Sequence, residues 1–202
     1  MATAPALSPP VSRAWLACGV QFTLTYDGPL KPSGRAPDVQ HIREHLDPQL
    51  RDLWSFEPLS HALGPEGFMG TIHQDVTVGA QHFRPLVQDA LKLTAHLEVL
   101  MLKPGQPGGV VRERGDIDNR LKTLFDALSA PATAQQVQFS ELGSSKDAPM
   151  YVVLEDDRLI TGVSVTTDRL LGASRREDVR LVITVTLKAT SLIYANMPLV
   201  SY

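Results

Sequence analysis

Polar and apolar residues alternate over "VQFTLTY", which puts Val20, Phe22, Leu24 and Tyr26 on one side of the chain. That two-residue period predicts a strand with one buried face. A turn-rich stretch, "DGPLKPSGRAP", ends it. Asp38 is placed to cap a helical segment, "VQHIREHL", with Val39, Ile42 and Leu46 on one side, and Pro48 to open a second helical piece, "PQLRDLW". "EPLSHALGPEGFMG" reads as loop and "TIHQDVTV" as a strand. "RPLVQDA" reads as a short turn or helix with Pro85 in its first position. The longest alternation, "LKLTAHLEVLML", sets Leu91, Leu93, Ala95, Leu97, Val99 and Met101 on one face and predicts a central strand.

The second half continues in the same mixed style. "KPGQPGGVVRERG" is a connection that delivers the chain to a charged helix, "DIDNRLKTLFDAL", and a further flexible stretch, about 129–149, follows that helix. "MYVVLEDDRLI" leads into "TGVSVTTDRLL", and "DVRLVITVTLKAT" supplies a last strand with alternating Val179, Leu181, Ile183, Val185 and Leu187. Strands outnumber helices and mostly come in neighbouring groups. The expected class is therefore α+β, a mixed sheet packed with helices, rather than a regular βαβ repeat.

Composition narrows the function without naming it. At 202 residues, 43% of them hydrophobic and 20% charged, the chain suits one domain, expected over 15–202, with a core of its own. A net charge of −3 supplies no global basic field, so any nucleic-acid surface has to come from local clustering of Lys and Arg. The single cysteine, Cys18, rules out an intrachain disulfide and a thiolate cluster and suits a reducing compartment. No apolar run approaches the ~20 residues needed to cross a bilayer. The opening residues lack a basic first region and a continuous apolar stretch, and Pro5, Pro9 and Pro10 lie among small residues. The expectation is a disordered leader over 1–14 and a cytoplasmic protein with no membrane partner.

The charged helix carries the chemistry. On a helical wheel, Ile117, Leu121, Leu124, Phe125 and Leu128 fall on one arc that packs on the sheet. Asp118, Lys122 and Asp126 follow one another at four-residue spacing along one edge of that arc. Asp116 lies just before the helix, where the chain turns its carboxylate toward the same place. Asp118 also fits as an N-cap, and Lys122 and Asp126 as a surface ion pair worth a few tenths of a kcal/mol at most.

A second segment, "LEDDRLI", places Asp156 and Asp157 at the end of an apolar run. Consecutive carboxylates there are costly unless a cation meets them. Hard divalent cations such as Mg²⁺ take such sites, with a few carboxylates, several waters and substrate phosphate oxygens. Lys122 would add a fixed positive charge for a phosphate in the transition state.

The pattern Asp116-x-Asp118-Asn119-x-x-Lys122-x-x-x-Asp126-Ala127-Leu128, followed by Leu154-x-Asp156-Asp157, resembles the RusA-like Holliday junction resolvases. The resemblance covers roughly residues 85 to 188. It implies a small two-layer α+β domain, here with an N-terminal elaboration, and a homodimeric, Mg²⁺-dependent endonuclease (Mn²⁺ being an alternative) that cuts four-way DNA junctions. By position it makes Asp116, Asp118 and Asp157 the metal ligands, Lys122 the catalytic lysine, Asp156 a helper, and Asn119 and Asp126 supports of the motif. Arg112, Arg114, Arg120, Arg158, Arg175 and Arg176 cluster near the motif as candidate phosphate contacts.

Two other readings stand beside it. A module of the same fold could bind nucleic acid or serve as structure without catalysis, although the intact acids argue for catalysis. "HIREH" matches an inverted zinc-protease signature through His41, Glu44 and His45, but no third ligand can be singled out. There is no Gly-rich phosphate loop and no G-x-S-x-G.

Overall fold

A computed structural model of the chain describes residues 19–104, 116–137, 148–172 and 178–200. Its elements run β1 (Gln21–Pro29), α1 (Ala36–Ser55), β2 (Val76–Val78), β3 (Gln81–Val87), β4 (Leu93–Lys103), α2 (Asp116–Leu128), β5 (Met150–Leu154), β6 (Ile160–Arg169) and β7 (Asp178–Ala189). The strands form two sheets, a four-stranded one in the order β1-β7-β4-β6 and a three-stranded one in the order β2-β3-β5. Both are mixed, since β4–β6 and β3–β5 are parallel while the other pairs are antiparallel. The class is α+β, as the grouping of strands predicts.

The alternations read from the sequence become rows across the larger sheet. Leu24 lies opposite Ile183, which lies opposite Val99, and Tyr26, Leu181 and Met101 make the next row. All six are buried. Burying one such aliphatic side chain stabilises by about 1.5–3 kcal/mol. A one-residue slip would turn each row outward, so the pattern also fixes the register. The N-terminal elements are integral to this core rather than appended to it. Ile42, Leu46 and Leu50 of α1 belong to the same buried cluster as Leu124 of α2 and Val153 of β5.

Helix α1 differs from expectation at its start and at Pro48. It is one element of 20 residues with Pro48 inside it, not two pieces. A proline inside a helix costs about 3 kcal/mol. Here Val39, Ile42, Leu46, Leu50 and Trp54 continue one buried stripe straight through it. Five side chains at roughly 1.5–3 kcal/mol each outweigh that penalty. Asp38 is not the cap residue but stands inside the first turn, where its carboxylate accepts a hydrogen bond of 3.0 Å from the Arg35 amide.

Within "RPLVQDA", residues 84–87 are strand, not helix, and a turn follows at Asp89 and Ala90. Pro85 sits in β3 opposite Val152 of β5, and its carbonyl turns the other way to His73 Nε2 at 2.9 Å. The side of Pro85 that lacks an N–H therefore faces away from β5, and the parallel ladder loses no bond. The outer edge of β1 is closed by a side chain: Gln49 accepts from the Thr25 amide at 2.9 Å and donates to the Thr25 carbonyl at 2.8 Å. No helix among the described residues is long and apolar enough to cross a membrane. The leader expected over 1–14, together with Cys18, lies outside the described residues.

His73 is buried against the edge of the Trp54 ring, with centroids 5.6 Å apart. Burial pushes its imidazole below the usual histidine pKa; the Pro85 hydrogen bond and Asp75 oppose this, and Arg84 adds to it. The folded state thus favours the neutral ring. Its contribution is present above the ordinary value of about 6.5 and is lost as pH falls through the lower folded pKa. Thermal unfolding should accordingly show stability declining on acidification below about pH 6.5, and His73→Gln should flatten that part of the profile. An equally steep decline in the variant would assign the effect to other groups.

Candidate functional site

Strand β5 ends at Leu154, and a backbone bond from the Glu155 amide to the Val87 carbonyl, 2.9 Å, holds the chain to β3 for one residue more. Asp156 then turns the chain: its carboxylate accepts from the Arg158 amide at 2.9 Å and caps a single 3₁₀ turn, Asp157–Leu159. Leu159 is buried and anchors that turn, so Asp156 and Asp157 are left exposed at its mouth.

Helix α2 arrives at the same place from the other direction. Ser129 makes a parallel bridge with Leu154, and the Ala130 amide donates to the Leu154 carbonyl at 2.9 Å. Asp126 and Asp157 each lie three residues from this bridge, one before it on α2 and one after it beyond β5. The two acidic segments are therefore joined by backbone pairing as well as by packing of α2 on the turn.

The charges register that proximity. Burial raises the Asp126 carboxyl above the usual carboxylate range; Lys122 counters this, the Asp157 charge raises it further, and Arg43 counters it again. Asp118 and Lys122 are exposed on the same helix. At 1.5 Å per residue, Asp118 stands about 12 Å along the axis from Asp126, with Lys122 midway. α2 begins at Asp116, so this residue opens the helix rather than preceding it, and Asp118 lies within the first turn rather than at the cap. An acid there gains from the positive end of the helix dipole.

Segments from the first third of the chain hold α2 in place. The Gly34 amide donates to Thr123 Oγ1 at 2.8 Å, and that hydroxyl lies 3.1 Å from both the Lys31 and the Asn119 carbonyls. Arg120 donates to the Leu30 carbonyl. At the far end, Arg43 of α1 donates through Nε to the Ser129 carbonyl at 3.2 Å and through Nη2 to the Asp126 carbonyl at 2.5 Å. Those are carbonyls that the end of a helix leaves without intrahelical partners. Arg43 is almost wholly buried, and burial lowers its pKa to about 10, with Asp126 opposing, so it stays charged at neutral pH. A cleft of about 260 Å³ opens between α1, the end of α2 and the exit of β5, lined among others by Arg43, Asp126, Ser129, Asp156 and Asp157.

Of the residues singled out from the sequence, Asp126, Asp156 and Asp157 line this cleft, and Lys122 is close enough to act on Asp126. Asn119 serves through its carbonyl, which accepts from Ser33 at 3.4 Å and from Thr123. Arg158 is exposed, with its Nε 3.9 Å from Asp156. The Asp116 side chain, Arg112, Arg114, Arg175 and Arg176 lie outside the described residues. Of the stretch expected to be flexible, 129–137 is described and begins packed, with Ala130 and Pro131 buried, while 138–147 is outside. In the zinc-protease-like signature, the His41 and His45 rings stand edge-on to Tyr26, with centroids 6.4 and 5.2 Å away, and Glu44 accepts from Gln40 at 3.2 Å. No group of three or more potential ligands suited to a metal occurs among the described residues.

Arg43 and Ser129 were not evident as site residues from the sequence. The available signal was a lone arginine on the apolar stripe of α1, in step with Val39, Leu46 and Leu50. Comparison with family models gives no match, and comparison with curated proteins gives none either.

Gly34 is the tightest point of the lock on α2, because a Cβ there would lie 2.6 Å from Thr123 Cγ2. Gly34→Ala should lower unfolding free energy by about 1–3 kcal/mol, the usual range for overpacking. Thr123→Ser removes the obstructing methyl, so the double variant should recover most of the loss in a denaturant-unfolding cycle. Additive losses in that cycle would rule out this contact as the constraint.

Proposed function

We propose that the chain is a Mg²⁺-dependent, structure-selective DNA endonuclease of the RusA-like kind, acting in the cytoplasm on four-way junctions, with Mn²⁺ as an alternative cation. The observation that supports it most is the joining of the two acidic segments at the Ser129–Leu154 bridge, which puts Asp157 beside the helix that carries Asp118, Lys122 and Asp126. The donor set suits a hard divalent cation, since the carboxylates are oxygen ligands and Asp126 and Asp157 repel one another at one cleft mouth. When bound, such a cation polarises the phosphodiester, generates a nucleophile from water and offsets charge on the leaving oxygen.

In this reading Asp116, Asp118 and Asp157 hold the cation. Lys122, exposed between the acids of α2, presents its ammonium to the phosphate as negative charge develops. Asp156 fixes the turn that carries Asp157 through its bond to the Arg158 amide. Arg158 contacts backbone phosphate, together with Arg112, Arg114, Arg120, Arg175 and Arg176. A junction has two opposed strands to cut, so a homodimer with two sites opening on one face completes the proposal.

Single-turnover cleavage and gel-shift affinity on one synthetic four-way junction test it. Asp118→Asn keeps size but removes a charge from the cation site, so cleavage should fall by orders of magnitude while binding persists or tightens. Lys122→Ala should lose cleavage with only a modest loss of binding. Chelator should abolish cutting by the unmodified protein, and sedimentation should show a dimer at micromolar concentration. Wild-type cleavage rates in Asp118→Asn would sink the assignment, leaving the acids as helix-start and surface charges.

A further inference from the structure

Arg43 and the end of α2 form a contact that helix capping alone does not call for. The side-on pair of guanidinium donors spans two carbonyls three residues apart, Nε to Ser129 at 3.2 Å and Nη2 to Asp126 at 2.5 Å. Ser129 is the residue that bridges to Leu154, and Asp126 is the acid that feels the charge of Asp157. One side chain of α1 thus holds both the residue that joins the acidic segments and the acid that α2 brings to that junction. The arginine itself is 2% exposed, so it is out of reach of a bound ligand and acts only through what it holds.

A less demanding solution exists at each step. Helix ends are commonly closed by a glycine turn or by water. A position in step with Val39, Leu46 and Leu50 is filled more stably by an apolar side chain than by a buried charge. The charge is also unhelpful to a cation site. Arg43 and Asp126 act on one another, so a positive charge stands beside the acids and repels any cation they would take. What the arginine supplies against these costs is geometry. A planar fork bound at two points fixes the end of α2 in rotation as well as in distance, which a single-point contact cannot do.

We propose that Arg43 is a positioning residue for the cation site, fixing the end of α2 against the exit of β5 so that Asp157 stands at a set distance from the acids of the helix. It rests on the reading of these acids as a cation site, and it adds to that site a residue of α1 lying 83 residues before Asp126. Geometry and charge then make opposite demands on cation affinity. Loss of the arginine removes a repelling charge, which strengthens cation binding, and removes the fork, which weakens it. In this proposal geometry wins.

Calorimetric titration of the full chain with Mg²⁺, and with Mn²⁺, decides it without reference to cleavage. Arg43→Lys keeps the charge but puts a compact ammonium in place of the fork. It should weaken cation binding about tenfold, the lower end of what is lost when a group that holds metal ligands from behind is changed. Arg43→Met removes the repulsion as well and should still bind more weakly than the unmodified protein. Leu50→Ala loosens the same core from the same helix, and its cation affinity should stay within about twofold of the unmodified value, as for independent sites. Far-UV circular dichroism checks that each variant is folded at the titration temperature. If Arg43→Met fails to fold, Arg43→Lys and Leu50→Ala decide the question. Unchanged affinity in Arg43→Lys, tighter binding in Arg43→Met, or an equal loss in Leu50→Ala overturns the positioning role. Absence of Mg²⁺ and Mn²⁺ binding by the unmodified protein overturns the cation site and this proposal together. Cation binding that depends on Arg43, in a protein that leaves junctions uncut, would uphold the positioning role and remove the nuclease reading.

Discussion

The parallel bridge between Ser129 and Leu154 is small, one residue on each side, yet it joins the two segments that carry Asp126 and Asp157. It ends α2 against the exit of β5 and so brings together two acidic segments separated by a long stretch of sequence. Carboxylates repel, and without a backbone constraint α2 and the Asp157–Leu159 turn would gain by separating. The constraint is reinforced from α1, where Arg43 grips the last carbonyls of α2, and from the loop before α1, where Gly34 meets Thr123. A charged guanidinium bound to helix-end carbonyls also favours the negative end of the helix dipole.

This arrangement explains why the first third of the chain is structurally inseparable from the motif. Asp118 and Lys122 of α2 are exposed, while Asn119, Arg120 and Thr123 of the same helix bond to the loop before α1. A helix opening with acids at Asp116 and Asp118 has little intrinsic reason to sit at a site already rich in carboxylate. Packing of Leu124 and Leu128 into the common core supplies that reason, and the segments from α1 and its preceding loop fix the rotation. The N-terminal residues thus help to fix the rotation of α2.

Much of this was legible in the sequence wherever one period dominated. Strands β1, β4 and β7 alternate without interruption, because each has one face on the core, and the helix edge carrying Asp118, Lys122 and Asp126 follows from spacing alone. What the sequence concealed were outcomes of competition between local and tertiary terms. Pro48 is a break signal overridden by a buried stripe, and Pro85 looks like a helix start but lies in a strand whose unpaired side faces His73. The partners of Arg43 were equally hidden, since Ser129 and Asp126 receive it through backbone carbonyls, which leave no trace in residue type. The adjacency of Asp126 and Asp157 depends on a pairing between distant segments that no local pattern announces.

Gln49 has a consequence for assembly. Its amide occupies the outward N–H and C=O of Thr25 as a neighbouring strand would, and α1 lies along β1. β1 and β6 are the two edges of the four-stranded sheet, and this side-chain contact lies on the β1 edge. Endless edge-to-edge stacking requires a sheet that accepts a neighbour on both sides. At Thr25 the Gln49 amide already fills that place, so a strand adding to β1 would first have to displace it.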